Sequence, residues 1–182
     1  MSKPKLLLHS CCGPCSSACL ERLIEQFDVT VLYYNPGIEP TEEYYLRLEN
    51  QKKIISSIPG GENISLIEGP YDPDSFHAFA DSMADEPEGG KRCEACFRQR
   101  LSYTAQIADQ MGFDYFTTTL TISPHKNAKL INEIGEALQE KAIWLHSDFK
   151  KQNGFLRSIE LSKEYGLYRQ DYCGCVFSVR GK

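Results

Sequence analysis

The chain has 182 residues, of which 41% are hydrophobic and 25% are charged. These proportions are those of an ordinary globular protein and exclude a disordered or fibrous chain. The formal net charge of −5 at pH 7 argues against a protein that coats nucleic acid with its whole surface, although it permits a local basic patch. Apolar runs are only a few residues long, so neither a membrane span nor a signal peptide is predicted.

Strands and helices are predicted to alternate along the chain. Short runs rich in leucine, β-branched or aromatic residues predict five strands, at 5–10, 28–34, 64–68, 114–121 and 143–146. Apolar residues at helical spacing predict six helices, at 16–27, 41–57, 74–83, 96–111, 127–141 and 155–165. Thr41 is expected to cap the second helix. The alternation is typical of an α/β fold with a mostly parallel sheet flanked by helices, and we expect residues 1–182 to form one domain.

Three predicted loops follow strands and carry residues suited to a functional site. They contain Cys11 and Cys12 after the first strand, Asn35-Pro36 after the second, and residues 119–126 after the fourth. In sheets of this class, ligands bind beyond the carboxyl ends of the strands. We therefore expect one crevice at that edge of the sheet.

Eight cysteines are many for a chain of this length. Because no export signal is predicted, we expect the protein in the reducing cytoplasm, where structural disulfides are rare. Clustered cysteines in such a protein indicate metal binding or catalysis. Seven of the eight fall in three segments, namely Cys11, Cys12 and Cys15; Cys93 and Cys96; and Cys173 and Cys175 in the tail 167–182.

The first cysteine segment can form a chelate only if the chain turns. Adjacent side chains such as Cys11 and Cys12 point apart on a strand, but a turn at Gly13-Pro14 would let both sulfurs reach one ion. Cys15 is predicted at the start of a helix, where backbone N–H groups and the helix dipole favour the thiolate. Cys19, one turn later, is interpreted as a small buried apolar residue.

The other two segments have spacings that suit a shared ligand. Cys93 and Cys96 form a CxxC motif at a predicted helix start, delivered by an acidic, glycine-containing loop. This spacing lets two sulfurs bind one metal or cluster. Cys173 and Cys175 flank Gly174, and residues two apart can project to the same side of the chain. Each motif alone is also compatible with half a zinc site or a redox pair.

The number of thiols leaves three interpretations open. One zinc ion would use four cysteines and leave spare thiols, as in a zinc-stabilised RNA-binding module without catalysis. A thiol–disulfide oxidoreductase would use the CxxC or CxC pair without metal. An iron–sulfur cluster on four cysteines, with the others on a second metal or in a redox disulfide, accounts for more of the thiols.

Several short motifs occur in order over nearly the whole chain, from about residue 5 to residue 178. They are Cys11-Cys12-Gly13-Pro14, Tyr34-Asn35-Pro36-Gly37-Ile38, Lys91-Arg92-Cys93-Glu94-Ala95-Cys96, Thr118-Thr119-Leu120, Ser123-Pro124-His125-Lys126-Asn127 and Tyr168-Arg169-Gln170-Asp171-Tyr172-Cys173-Gly174-Cys175. Together they resemble the epoxyqueuosine reductases of the QueH type. Each motif alone is a weak signal, but the combination is highly specific.

The resemblance implies the last step of queuosine synthesis, the reduction of epoxyqueuosine at the wobble position of tRNA. It implies a 4Fe-4S cluster, an adjacent iron ion and no cobalamin. It also implies a Rossmann-like fold related to the phosphate-loop nucleotide-binding domains. Because the cysteine motif replaces the phosphate loop, no use of ATP is expected. The implied partners are tRNA carrying epoxyqueuosine and an external electron donor of flavodoxin or ferredoxin type.

The resemblance also assigns ligands to individual residues. It places the 4Fe-4S cluster on four thiols, those of Cys11, Cys12, Cys93 and Cys96. It links Cys173 and Cys175 to a redox disulfide or to metal ligation. Some members carry Asp at the position of Cys15, where the carboxylate is linked to the second iron. This chain departs from those members, but a thiolate can replace a carboxylate on iron. Two alternatives are therefore expected: a second iron on Cys15, Cys173 and Cys175, or a redox disulfide between Cys173 and Cys175.

Other residues in these motifs are candidates for proton transfer and substrate binding. Tyr172 or His125 is expected to protonate the departing oxygen. Lys126 and Arg169 are expected to hold RNA phosphates, and Asn35 to contact the substrate. Tyr172 can also stack on the wobble base. His9, within the first strand, is expected to be a packed core residue.

Overall fold

The computed structural model describes residues 2–179. Within them the strands are β1 (Lys5–Ser10), β2 (Asp28–Tyr33), β3 (Ser65–Glu68), β4 (Tyr115–Thr118) and β5 (Ile143–Trp144). The α-helices are α1 (Gly13–Leu23), α2 (Thr41–Ser57), α3 (Pro73–Ala80), α4 (Lys91–Met111), α5 (Ala128–Leu138) and α6 (Gly154–Glu164). Short 3₁₀ turns lie at Gly61–Asn63, Asp81–Met83, Thr119–Ile122 and Val176–Ser178.

The five strands form one sheet in the order β3-β2-β1-β4-β5, and every neighbouring pair is parallel. The predicted α/β class with a parallel sheet is therefore confirmed. Strand order reverses at β1, since β2 lies on one side of it and β4 on the other. The connections that leave β1 and β4 thus diverge and open a crevice at the carboxyl edge, where Cys11 and Cys12 follow β1.

Alternate residues of β1 pack against opposite layers of helices. Leu7 faces α4 and α5, where it joins Leu101 and Ile134. Leu6 and Leu8 join the other core, formed with α1, α2 and α6. This alternation follows from the two-residue period of a strand. Both faces of the sheet are therefore covered, and the edge beyond the strands is left for the site.

Two predicted boundaries near the cysteines are wrong. Gly13-Pro14 forms the first turn of α1 instead of a separate turn, because proline is tolerated where helical N–H groups have no partner. The fourth helix begins at Lys91, so Cys93 lies in its first turn and not in the preceding loop. Gly13 is tightly packed, since a Cβ there would lie 2.4 Å from the carbonyl oxygen of Asn50 on α2.

The remaining differences concern element ends. Pro40, not Thr41, occupies the position before α2, and its side chain makes no capping hydrogen bond. The strand predicted to run to residue 121 stops at Thr118, because the Thr118 hydroxyl accepts the N–H of Leu120 and starts a 3₁₀ turn. Among the described residues, no helix is both long and apolar enough to cross a membrane.

Candidate metal centre

Three sulfur atoms converge at the end of β1. The Sγ atoms of Cys11, Cys12 and Cys15, named the triad below, all lie within 4.8 Å of one another. Those of Cys11 and Cys12 are 3.9 Å apart. Two thiolates on a tetrahedral ion, each about 2.3 Å from it, would lie about 3.8 Å apart. The triad therefore has the spacing of a set of metal ligands.

The end of β1 and the start of α1 bring these sulfurs together. Cys12 is the N-cap of α1, with extended backbone, and its Sγ accepts the N–H of Cys15 at 3.4 Å. The Ser10 hydroxyl lies 3.2 Å from the Cys12 carbonyl and 2.6 Å from Oε1 of Gln51, and so can donate to either. Gln170, from the tail, donates from Nε2 to the Cys12 sulfur at 3.0 Å. Three parts of the chain thus fix the triad.

Four further thiols line a single cavity beside the triad. Cys93 and Cys96, from the first two turns of α4, face Cys173 and Cys175 of the tail across this four-thiol cavity. Phe76 of α3 supplies an apolar wall. Both thiols of the CxC motif line this one cavity, as their spacing predicts, and the CxxC motif lies at the start of a helix, although that helix begins earlier than predicted.

A second, more polar cavity adjoins the first. It is lined by Cys11 and Cys15 of the triad and by Cys173 of the tail. Cys173, His125, Lys126 and Glu88 line both cavities. The polar cavity and the four-thiol cavity therefore share a wall, and cysteines from all three segments reach this one region.

The grouping of the thiols differs from the ligand sets implied by the resemblance. Cys15 lies with Cys11 and Cys12, whereas the resemblance assigned it to the second iron with the tail pair. Cys93 and Cys96 lie with the tail pair in the four-thiol cavity. The division of ligands between a cluster and a second iron stays a prediction.

The tail is held in place by a buried arginine that the sequence did not single out. Arg47 of α2 donates to the carbonyl oxygens of Cys173 at 2.9 Å and Tyr172 at 3.2 Å, and it pairs with Glu43 at 2.6 Å. The third consecutive carbonyl, that of Gly174, accepts the N–H of Glu39 at 2.8 Å. The only feature of the sequence that indicated this ion pair was the i, i+4 spacing of Glu43 and Arg47.

The triad distributes negative charge unequally. Hydrogen bonds from Cys12 and then Cys15 hold the pKa of the Cys11 thiol well below its usual range. Burial raises the pKa of Cys12 to about 12, and the hydrogen bond with Cys11 is the main cause that raises the pKa of Cys15. Within the triad, negative charge is therefore favoured at Cys11 over its two neighbours. Burial also raises the pKa of Cys96, to about 11.

Two cations face these sulfurs. Burial lowers the pKa of Arg100, but the charges of Cys96, Cys173, Cys11 and Cys175 outweigh it and raise the pKa. Burial likewise lowers the pKa of Lys126, and the charges of Cys173, Cys11 and Cys15 raise it above its usual value. Within residues 2–179, neither side chain is paired with a carboxylate.

The two cations beside the thiols bear on whether these residues suit a metal. A buried ion without a counter-charge costs several kcal/mol, so two neighbouring cations require negative charge close by. The groups that raise the pKa of both cations are thiols, and Glu88, which lines both cavities, forms no ion pair with either cation in residues 2–179. A metal held by thiolates is negatively charged overall and supplies that charge. The site therefore fits a metal–thiolate group and could hold a metal ion.

The other predicted site residues are spread around the polar cavity. His125 is exposed, and its ring has no hydrogen-bond partner in the described part of the chain. The Tyr172 hydroxyl donates to the Glu39 carbonyl at 2.6 Å, and burial raises its pKa. Arg169 is exposed, with its guanidinium 5.7 Å from the centre of the Phe155 ring.

Asn35 is placed differently from these residues. Its side chain is fully buried, donates from Nδ2 to the Ser10 carbonyl at 2.8 Å, and lines neither cavity. In this position it supports the turn before the triad, and its predicted contact with substrate stays a prediction. His9 is confirmed as a buried core residue between Thr118 and Tyr34, and burial lowers its pKa to about 4. Cys19 is fully buried as expected.

Comparison with known proteins matches the chain to one family. The family model described as epoxyqueuosine reductase QueH matches residues 6–181. The chain is 43% identical to epoxyqueuosine reductase QueH of Streptococcus pyogenes serotype M1 over 182 residues, which cover 98% of this chain and 71% of that protein. This chain belongs to the QueH family of epoxyqueuosine reductases.

Other QueH relatives show a similar degree of likeness. The protein of Staphylococcus epidermidis is 44% identical over 183 residues, covering 97% of this chain and 77% of the relative. The protein of Thermotoga maritima is 34% identical over 179 residues, covering 96% of this chain and 90% of the relative. The resemblance found from the motifs is therefore confirmed, and the match to the QueH model includes all eight cysteines.

Proposed function

We propose that this chain reduces epoxyqueuosine in tRNA to queuosine, the last step of queuosine biosynthesis. Its relatives are named epoxyqueuosine reductases. The observation that carries the proposal is the meeting of three cysteine segments at two adjoining cavities. A zinc-stabilised RNA-binding module without catalysis is not favoured, because the curated relatives are named for a reduction.

The reaction needs electrons that side chains supply poorly. Converting the epoxide to an alkene consumes two electrons and two protons and releases one water molecule, so a redox cofactor is required. A 4Fe-4S cluster with an additional iron would, when bound, supply the electrons and a Lewis acid. We assign the cluster to Cys11, Cys12, Cys93 and Cys96. For the second iron we assign Cys15, Cys173 and Cys175, with a redox disulfide of the last two as the alternative.

The polar cavity is the better route for the modified nucleoside. It adjoins Cys11, Cys15 and Cys173 and is more polar than the four-thiol cavity, as a nucleoside with several hydroxyl groups requires. Tyr172 offers a ring on which a base can stack. Arg169, exposed at the same cavity, and Lys126 in its wall provide positive charge for phosphates.

His125 is the better candidate to protonate the departing oxygen. Its exposed ring lines both cavities and has no competing hydrogen bond among residues 2–179. The Tyr172 hydroxyl already donates to the Glu39 carbonyl and would have to leave that bond first. An external electron donor, of flavodoxin or ferredoxin type, would restore the reduced cofactor, and no membrane partner is proposed.

Anaerobic purification tests this function directly. We expect a brown protein that contains iron and sulfide and converts epoxyqueuosine in tRNA when a reductant is present. Cys93→Ser should lose iron and activity and remain folded by circular dichroism. Cys19→Ser is the matched control, since its sulfur lines neither cavity and its new hydroxyl can still donate to the Cys15 carbonyl. A colourless protein containing zinc, or full activity without iron, would overturn the proposal.

A further inference from the structure

Arg100 is a fully enclosed guanidinium in the wall of the four-thiol cavity. It is 2% exposed and lies on α4, one turn after Cys96 and two turns after Cys93. Residues at these spacings share one face of a helix. The guanidinium therefore lies on the same face as the two thiols of the CxxC motif.

In the part of the chain that the structure describes, the other two buried arginines have hydrogen-bond partners and Arg100 has none. Arg47 pairs with Glu43, and Arg92 donates to the carbonyl oxygens of Met83, Ala84 and Glu86. Arg92 leaves only its Nε without an acceptor, whereas the Arg100 side chain forms neither an ion pair nor a hydrogen bond in residues 2–179. Buried charges in proteins are normally paired or bound to metals, so this exception requires an explanation.

We propose that Arg100 is the counter-charge of the metal–thiolate group and sets its reduction potential. The inference rests on the proposed function, because it takes the thiols as ligands of a redox metal. A 4Fe-4S cluster with four thiolate ligands is negative when oxidised and gains a further negative charge on reduction. A fixed cation close to it therefore favours the reduced state, since net charge is one of the factors that set such potentials.

The same charge couples Arg100 to metal loading. If bound metal offsets the free-energy cost of burying the guanidinium, then the guanidinium must favour metal binding by the same free energy. Within residues 2–179 the guanidinium has no ion pair with a carboxylate, so a bound metal–thiolate group would supply a counter-charge that the metal-free protein lacks. Replacing Arg100 should therefore cost the loaded protein more stability than the metal-free protein.

Three variants of helix α4 separate this role from a structural one. Arg100→Met removes the charge, and Arg100→Lys keeps it. Arg98→Met is the matched control, because Arg98 has a 53% exposed side chain on the same helix. We expect a more negative midpoint potential for Arg100→Met in a redox titration followed by visible absorbance. The midpoint potential of Arg100→Lys should be closer to that of the wild type, and the midpoint potential of Arg98→Met should equal that of the wild type.

Thermal unfolding of loaded and metal-free protein gives the second measurement. The gain in Tm on loading should be smaller for Arg100→Met than for the wild type, with iron–sulfur reconstitution and with zinc alone. The measurement with zinc tests the role of Arg100 as a counter-charge even if the wild type binds no iron. A wild type without iron would overturn the proposed function but not this role of Arg100. Equal potentials and equal gains in Tm for Arg100→Met and the wild type would overturn the role of Arg100.

Discussion

Arg47 reaches Cys173 across 126 positions of the sequence and donates to its backbone carbonyl at 2.9 Å. The next donor of the same guanidinium binds the carbonyl of Tyr172 at 3.2 Å. A side chain of α2 thus determines the course of the tail that brings Cys173 and Cys175 to the cavities.

Removal of Arg47 should destabilise the protein strongly. Breaking a buried ion pair from one side typically costs about 3–5 kcal/mol, and Arg47→Met would leave Glu43 buried without its partner. Urea unfolding of the metal-free protein measures the loss. Glu43→Gln in the same chain should recover part of it, so the double variant should lose less than the sum of the single losses. Additivity within about 0.5 kcal/mol would contradict the pairing.

Gly174→Ala should impair the site as well as stability. Gly174 has φ of +129°, and a Cβ there would lie 2.9 Å from Cγ1 of Ile38 and 3.1 Å from Nη1 of Arg47. The strained backbone alone costs about 1–3 kcal/mol, and the contacts would displace the tail. We expect lower metal content and lower activity at a temperature where the variant is folded.

Gly112→Ala is the control for this variant. Gly112 also has a positive φ, of +70°, but a Cβ there would meet nothing within 4 Å. It ends α4 far from the tail, so the substitution should reduce stability and leave metal content unchanged. If both alanine variants kept full metal content, the placement of the tail by Gly174 would be refuted.

His77 should make stability depend on pH. Hydrogen bonds to Asp81 and then Glu39 raise its pKa above 6.5. The resulting stability is fully present below the unfolded pKa of about 6.5 and is lost as the pH rises through the higher folded value. The difference in unfolding free energy between the wild type and His77→Gln should therefore be largest at about pH 5.5 and shrink toward about pH 9.

His146→Gln provides the comparison for this titration. The His146 side chain is 60% exposed and lies 3.5 Å from Glu136, so exchange of its ring should change stability little at any pH. A constant difference in unfolding free energy between the wild type and His77→Gln from acid to alkaline pH would show that folding does not raise the pKa of His77.

Arg169 should contribute to tRNA affinity without sequence preference. If it contacts a phosphate, Arg169→Gln weakens binding to modified and unmodified tRNA alike and lowers the slope of log K against log salt by about 1. Binding is measured by fluorescence anisotropy at several salt concentrations. Lys129→Gln is the control, since Lys129 is 85% exposed and lines neither cavity. An unchanged salt slope in Arg169→Gln would remove Arg169 from the phosphate contacts.

The sequence predicts the elements well because their signals are local. The alternation that buries Leu6, Leu7 and Leu8 on opposite faces lies in one short run. The start of α4 was missed because Gly90 offers no capping side chain and the first helical residues are charged. The cysteine motifs identified the thiols of the site because the short spacing within each motif does not depend on how the rest of the chain folds.

The polar partners of the site could not be predicted in the same way. Nothing near Arg47 or Arg100 in the sequence distinguishes them from exposed arginines such as Arg98. Their burial depends on how α2 and α4 pack against the tail and the sheet, which is a relationship between distant segments. The grouping of Cys15 with Cys11 and Cys12 likewise depends on α1 beginning at Gly13, two residues after Cys11.

Residues 172–175 follow every strand and α-helix of the described chain, yet they form the wall between the two cavities. Their carbonyl groups bind donors on α2 and on the segment before it, which must already be in place. The metal-binding pocket is therefore complete only when the tail is docked on α2 and on the segment before it.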